Sequence, residues 1–156
     1  MITLHAVKKS YPPSQVALEG VDLKVYPGDF LFVAGASGAG KSTLLKILYG
    51  AEKCSSGEVL VAGRNLTALS GDGIALFRRE IGIIFQDYKL LTSRSVLENI
   101  AFGLEVRGVR KKEREELAFA MLKMVGLYGK ENNCPLTLSG GEQQRIAVAR
   151  ALIHKP

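Results

Sequence analysis

The residues Phe30-Leu31-Phe32-Val33-Ala34 run directly into Gly35-Ala36-Ser37-Gly38-Ala39-Gly40-Lys41-Ser42. The first five are apolar without polar alternation, which reads as a strand buried on both faces, as in a parallel sheet covered by helices. The next eight match GxxxxGK[ST], and a helix is expected from Lys41 to about Tyr49, with Leu44, Leu45, Ile47 and Leu48 apolar. Glycines let a backbone wrap closely and take conformations closed to residues with a Cβ. Successive N–H groups then converge on phosphate oxygens, and the helix N-terminus adds roughly half a positive charge. In such a loop Lys41 bridges terminal phosphates and Ser42 offers its hydroxyl to Mg²⁺. An ordinary glycine-rich strand-to-helix turn would meet four constrained positions in this context only rarely. The motif leaves open which nucleotide binds and whether its γ-phosphate is hydrolysed.

Upstream, Ile2 to Val7 carries apolar residues at Ile2, Leu4, Ala6 and Val7, an opening strand. Val16 to Val25 follows the Pro12-Pro13 turn and ends at Pro27-Gly28. These two read as antiparallel and half-exposed. Downstream, Glu58 to Ala62 and Ile81 to Phe85 read as short strands, the second almost wholly apolar. After Gln86 the texture turns helical. Ser95 is placed to N-cap a helix through Val96, Leu97, Ile100 and Leu104. Lys111 to Val125 is a second amphipathic helix with Leu117, Ala118, Met121, Leu122 and Val125 expected inward, and a third runs from about Gly141 to Ile153. The pattern is an α/β body with a helical insertion over 87–138, so the chain divides as 1–86, 87–138 and 139–156. No internal repeat interrupts it.

With 156 residues, 47% hydrophobic and 23% charged, the chain has the size and texture of one globular domain. Disordered, collagen-like and coiled-coil classes are excluded. Lys and Arg total 21 against 15 Asp and Glu, so the net charge is +6, a balance that favours polyanions. Much of the excess lies in Arg107-Gly108-Val109-Arg110-Lys111-Lys112-Glu113-Arg114, which reads as a solvated loop entering a polar helix face. No aromatic residues interleave these charges, so no nucleic-acid partner is expected. Cys54 and Cys134 show no CxxC spacing and read as free thiols, and with only His5 and His154 besides they supply no metal cluster. The N-terminus has no signal-peptide core, and no run approaches the ~18 apolar residues of a membrane span. The expectation is a soluble cytoplasmic chain that can still dock on a membrane partner.

A second glycine-rich helix start lies at Leu138-Ser139-Gly140-Gly141-Glu142-Gln143-Gln144-Arg145. Ser139 is a good N-cap and the two glycines leave the backbone open, which suits an anion. Glu142, three residues after Ser139, equally suits a capping box. The residues alone do not choose between these readings.

LSGGEQQR resembles the signature of ABC-type ATPases, and the resemblance extends over the whole chain. It implies an α/β P-loop NTPase of the ABC type, with an N-terminal antiparallel β subdomain and a helical signature-motif subdomain. It assigns Tyr11 to stacking on the adenine ring, with Val16 also at the nucleotide. Gly35 to Thr43 then hold the phosphates, with Lys41 and Gln86 catalytic and Ser42 and Gln86 on Mg²⁺. Ser139, Gly140, Gly141 and Gln143 would cap the ATP of a second subunit in an ATP-dependent, head-to-tail homodimer. Within the family the chain is most similar to FtsE-type cell-division ATPases, on Phe85-Gln86-Asp87-Tyr88-Lys89-Leu90-Leu91, Arg94 to Ala101 and Ser37 to Lys46. Lipoprotein-releasing and macrolide-export ATPases share nearly all of these motifs, and Asp87 favours the FtsE type. That likeness implies an FtsX-like membrane partner docking near Tyr88 to Leu97 on the inner face of the cell membrane.

ABC ATPases continue into an apolar strand ending in Asp-Glu, then a D-loop and a switch histidine. This sequence stops at Lys155-Pro156, before that strand. The Walker B aspartate, the catalytic glutamate and the histidine therefore have no counterpart in it, and the C-terminal core strands are expected to be missing. Binding of ATP without hydrolysis is the expectation for these residues alone. A non-hydrolysing nucleotide-binding module and a DNA-maintenance ATPase of another P-loop class are the competing readings.

Overall fold

Strands β1 (Ile2–Tyr11) and β2 (Gln15–Val25) pair antiparallel, β1 pairs antiparallel with β3 (Ser56–Val61), and β3 with the two-residue β4 (Arg64–Asn65). The sheet order is β2-β1-β3-β4. Leu4 and Val7, the two buried residues of β1, lie three apart, which a regular two-residue alternation cannot place on one face. A bulge resolves the conflict. Ala6 takes φ 46° and its N–H donates to the Asp22 carboxylate at 2.8 Å, so the register shifts between Leu4 and Val7. Ala6, expected as part of the apolar alternation, is consequently exposed.

The computed structural model describes every residue from Met1 to Pro156. The chain forms two units, Met1–Arg78 and Arg79–Pro156. In the first, helix α1 (Lys41–Leu48) buries Leu44 and Ile47, and helix α2 (Gly71–Arg78) buries Phe77. The α2 helix and the β4 strand lacked an apolar period long enough to be read from sequence. Arg78 secures the end of α2 by donating to the carbonyls of Tyr49 and Gly50 at 3.1 and 2.7 Å.

Two expected strands are corrected. Phe30–Ala34 joins no ladder, and Phe30 and Phe32 are 84% and 81% exposed, packed edge to face on each other. Ile81–Phe85 is likewise irregular, with Ile84 half exposed. An apolar run becomes a doubly buried strand only where strands flank it and helices cover both faces. Every ladder here is antiparallel and draws on other residues. The apolar pattern states what such a run needs. The neighbours decide whether it is met.

The second unit is built from helices α3 (Val96–Glu105), α4 (Lys111–Met124) and α5 (Gly140–Leu152), with a short 3-10 turn at Pro135–Thr137. Val96, Ile100, Leu122, Leu127 and Ile146 form its fully buried centre. Each such side chain is worth roughly 1.5–3 kcal/mol, whereas an exposed helical ion pair such as Lys111–Glu115 gives roughly 0.3–0.5 kcal/mol. Packing of apolar side chains therefore holds this unit, and the charges are secondary. Leu117, expected inward on α4, is 46% exposed, because the buried stripe there is carried by Ala118 and Leu122. No helix is long and apolar enough to cross a membrane.

The segment following Gln86 is irregular, and two polar side chains fix it. Asn99, fully buried on α3, accepts from the Leu91 N–H at 2.8 Å and donates to the carbonyls of Leu91, Arg94 and Ser95. Arg150 on α5 donates to the carbonyls of Tyr88 at 2.6 Å and Lys89 at 2.8 Å. Those two residues have φ of 58° and 46°, a strained turn that the guanidinium helps hold. Replacing Asn99 by Leu removes every one of its bonds and strands the Leu91 N–H. We expect Asn99→Leu to cost about 2–4 kcal/mol in urea unfolding, with Asn99→Asp intermediate. A loss below about 1 kcal/mol would show that the segment is held by something else.

Candidate functional site

In the first unit, the loop ahead of α1 builds a cleft of about 260 Å³ lined by Tyr11, Gln15, Ala17 and Ser37 through Thr43. Gly38 and Gly40 have φ of 81° and 83°, in the left-handed region. Gly40 is also the N-cap of α1, and a Cβ there would collide with the Ala17 carbonyl oxygen. Glycine at 40 thus lets β2 pass against the loop while the first N–H groups of α1 stay unpaired along the helix axis. No acidic residue lies in the first turn of α1, so nothing offsets the positive end of its dipole.

Lys41 adds a full charge. Its Nζ donates to the carbonyls of Gly35 at 2.7 Å and Ala36 at 2.6 Å, which folds the side chain back over the loop. That puts an ammonium on the cleft lining, where it can exchange two carbonyl oxygens for phosphate oxygens. The Ser42 hydroxyl belongs to the same lining.

Tyr11 closes the far side of the lining. Its hydroxyl donates to Glu52 and lies 3.4 Å from the Thr43 Oγ1, and the Lys9 ammonium sits 4.9 Å from its ring centroid. The Tyr11 hydroxyl, aided by Lys46 and Lys9 and opposed by burial, holds the Glu52 carboxyl below the ordinary carboxylate range. Glu52 carries no local sequence signal, since it is one acid among several beyond α1. Gln15 and Ala17 could have been found from their shared parity on β2. Val16, the residue between them, is 59% exposed and falls outside the cleft lining.

The remaining candidates lie in the second unit. Gln86 is exposed just before the strained turn, and Asp87 pairs with Lys89 at 2.7 Å. Ser139 is the N-cap of α5. Its N–H and hydroxyl both donate to the Glu142 carboxylate, at 2.9 and 2.7 Å, and Lys130 pairs with the other oxygen. Lys130 first, then Ser139, draw the Glu142 pKa down to about 2. The stabilising charge at this helix start is therefore complete above the ordinary carboxylate pKa and lost only as pH falls through about 2. Gly140 and Gly141 are exposed, while Gln143 donates to the Leu138 carbonyl at 2.9 Å. The arrangement is a second open helix N-terminus, with its capping carboxylate in place and its glycine backbone bare.

Residues 18–156 match the profile of the family described as ABC transporter. The chain is 47% identical to the methionine import ATP-binding protein MetN of Geobacillus kaustophilus, matching over its full length but spanning 46% of that protein. It is 44% identical to the cell division ATP-binding protein FtsE of Streptococcus pneumoniae, again over its full length and spanning 68% of that protein. Among solved structures it superposes on the dimeric ATP-binding cassette MJ0796, in a post-hydrolysis state bound to ADP and Pi. That superposition has a TM-score of 0.92 at 36% identity, and covers all of this chain and 71% of that one. A cleft built from loop amides and one lysine, a second bare helix start, and likeness along the whole sequence converge, and the chain belongs to the ABC transporter family as an ATP-binding domain.

Proposed function

We propose that the chain is the nucleotide-holding part of an FtsE-like ABC ATPase, which would couple ATP to a membrane partner in cell division. The observation that carries this reading is the cleft itself, in which left-handed Gly38 and Gly40, the Lys41 ammonium and the N-terminus of α1 share one lining. In it, the N–H groups of Gly38 to Thr43 bind and orient the phosphates of ATP, and Lys41 leaves its two carbonyls to neutralise the terminal ones. Tyr11 takes the adenine ring by stacking. Mg²⁺ fits the donor set. Ser42 offers one hard oxygen on the cleft lining, and no cluster of three or more His, Cys, Asp or Glu exists to hold the ion alone. Mg²⁺ tolerates that poverty because phosphates and water complete its shell, where it would shield phosphate charge.

The bare start of α5 at Ser139, Gly140 and Gly141, with Gln143, serves in this reading as the lid on a second subunit's ATP in a head-to-tail homodimer. Tyr88 to Leu97, held by Asn99 and Arg150, is the docking segment for an FtsX-like partner at the inner face of the membrane. Catalysis by such a dimer would be positioning and charge stabilisation. These residues contain no counterpart of the Walker B aspartate, the catalytic glutamate or the switch histidine, so by themselves they are expected to bind ATP without turning it over. A second reading is the ATPase of a methionine importer, favoured by the equal likeness to MetN.

Calorimetric titration with Mg²⁺ and a non-hydrolysable ATP analogue tests the cleft. Binding is expected, and Lys41→Ala should weaken it roughly tenfold or more. Indifference to Lys41→Ala would remove the phosphate role. In the same titration Tyr11→Ala is expected to weaken the ATP analogue roughly tenfold and inorganic tripolyphosphate less than about twofold. Equal weakening of both would sink the stacking role. A phosphate-release assay should show no turnover by these residues alone, and release that disappears in Lys41→Ala would refute that part.

A further inference from the structure

The geometry points to Glu52 as the positioning residue for the base: it anchors the Tyr11 ring from behind so that one ring face is presented to adenine. This rests on the reading of Tyr11 as the stacking residue. Tyr11 ends β1, and a side chain at a strand end is ordinarily free to change rotamer. Here it is not. Its hydroxyl donates to Glu52, and the same oxygen lies 3.4 Å from Thr43 Oγ1 on α1, which ties the ring edge to the phosphate loop. Lys9 covers one face of the ring at 4.9 Å and donates to the Lys53 carbonyl at 2.8 Å, leaving the opposite face for a base.

Glu52 is itself pinned. Its carboxylate pairs with Lys9 at 3.5 Å and with Lys46 of α1 at 3.2 Å, and the Glu52 and Lys9 side chains are only 22% and 16% exposed. One carboxylate therefore joins the strand that carries the ring, the cation on the ring face and the helix whose start holds the phosphates. The base and phosphates of a nucleotide are linked at a fixed reach. A ring already held at the matching distance from the loop spares the ordering that a free ring would undergo on binding. The carboxyl stays ionised at neutral pH, since the Tyr11 hydroxyl and the two ammoniums favour its charged form.

The test compares the ATP analogue with inorganic tripolyphosphate, both with Mg²⁺, across Glu52→Ala, Glu52→Gln, Tyr11→Phe and Tyr11→Ala, with circular dichroism confirming folding. Glu52→Ala should weaken the analogue roughly five- to tenfold while tripolyphosphate binding changes less than about twofold. Tyr11→Phe, which keeps the ring and loses its anchor, should reproduce that loss, and the double variant should lose no more than either alone. Glu52→Gln keeps an acceptor for the hydroxyl and should recover most of the affinity. If Glu52→Ala weakens both probes equally, or Glu52→Gln is as impaired as Glu52→Ala, Glu52 is a brace for the fold and the proposal falls. If Tyr11→Ala fails to separate the two probes, the stacking reading falls and takes this one with it. A selective Tyr11→Ala beside an unselective Glu52→Ala overturns the Glu52 role alone.

Discussion

A side chain at position 40 would strike the carbonyl oxygen of Ala17, and the cleft ahead of α1 depends on its absence. Because Gly40 has no Cβ, β2 can lie against the loop, and because it accepts φ 83° the chain can turn there into α1. The first N–H groups of that helix are left with no partner inside the helix, which is the property an anion site uses. The strand β2 contributes Gln15 and Ala17 to the wall, β1 contributes Tyr11, and α1 contributes Lys41, Ser42 and Thr43. A sheet edge and a helix start thus meet at one glycine.

The start of α5 in the second unit is also glycine-rich, but it carries an acid in its first turn where α1 carries none. At α5 the glycines follow the N-cap, and the electrostatic work is done by Glu142, tied to Ser139 and Lys130. That carboxylate braces the helix start while leaving Gly140 and Gly141 open. On the same helix, Arg150 grips the strained turn at Tyr88 and Lys89, and burial of its guanidinium without a carboxylate partner pushes its pKa down. The helix that begins with the signature glycines is thereby bonded directly to the segment after Gln86.

Local chemistry was legible in the sequence. The glycine-rich loop and the helix from Lys41 follow from φ demands and capping that act within a few residues, as do the N-caps at Ser95 and Ser139. Long-range demands were not. The runs at Phe30–Ala34 and Ile81–Phe85 read as buried strands because they are apolar, yet burial depends on neighbours that the run itself does not specify. The bulge at Ala6 escaped for a related reason, since the Asp22 carboxylate that fixes it lies on another strand. Glu52 and Asn99 were invisible because their roles arise from tertiary approach: an acid past α1 that meets a tyrosine on β1, and an amide whose partners lie four to eight residues away in an irregular segment.

Phosphate binding by the backbone N–H groups of this loop, gathered by Gly38 and Gly40, has a direct readout. Amide chemical shifts followed by NMR during addition of Mg²⁺ and a non-hydrolysable ATP analogue test it most directly. The largest shifts are expected on Gly38 to Thr43, saturating together. Saturable binding that leaves those amides unmoved, with the shifts falling elsewhere in the chain, would contradict it.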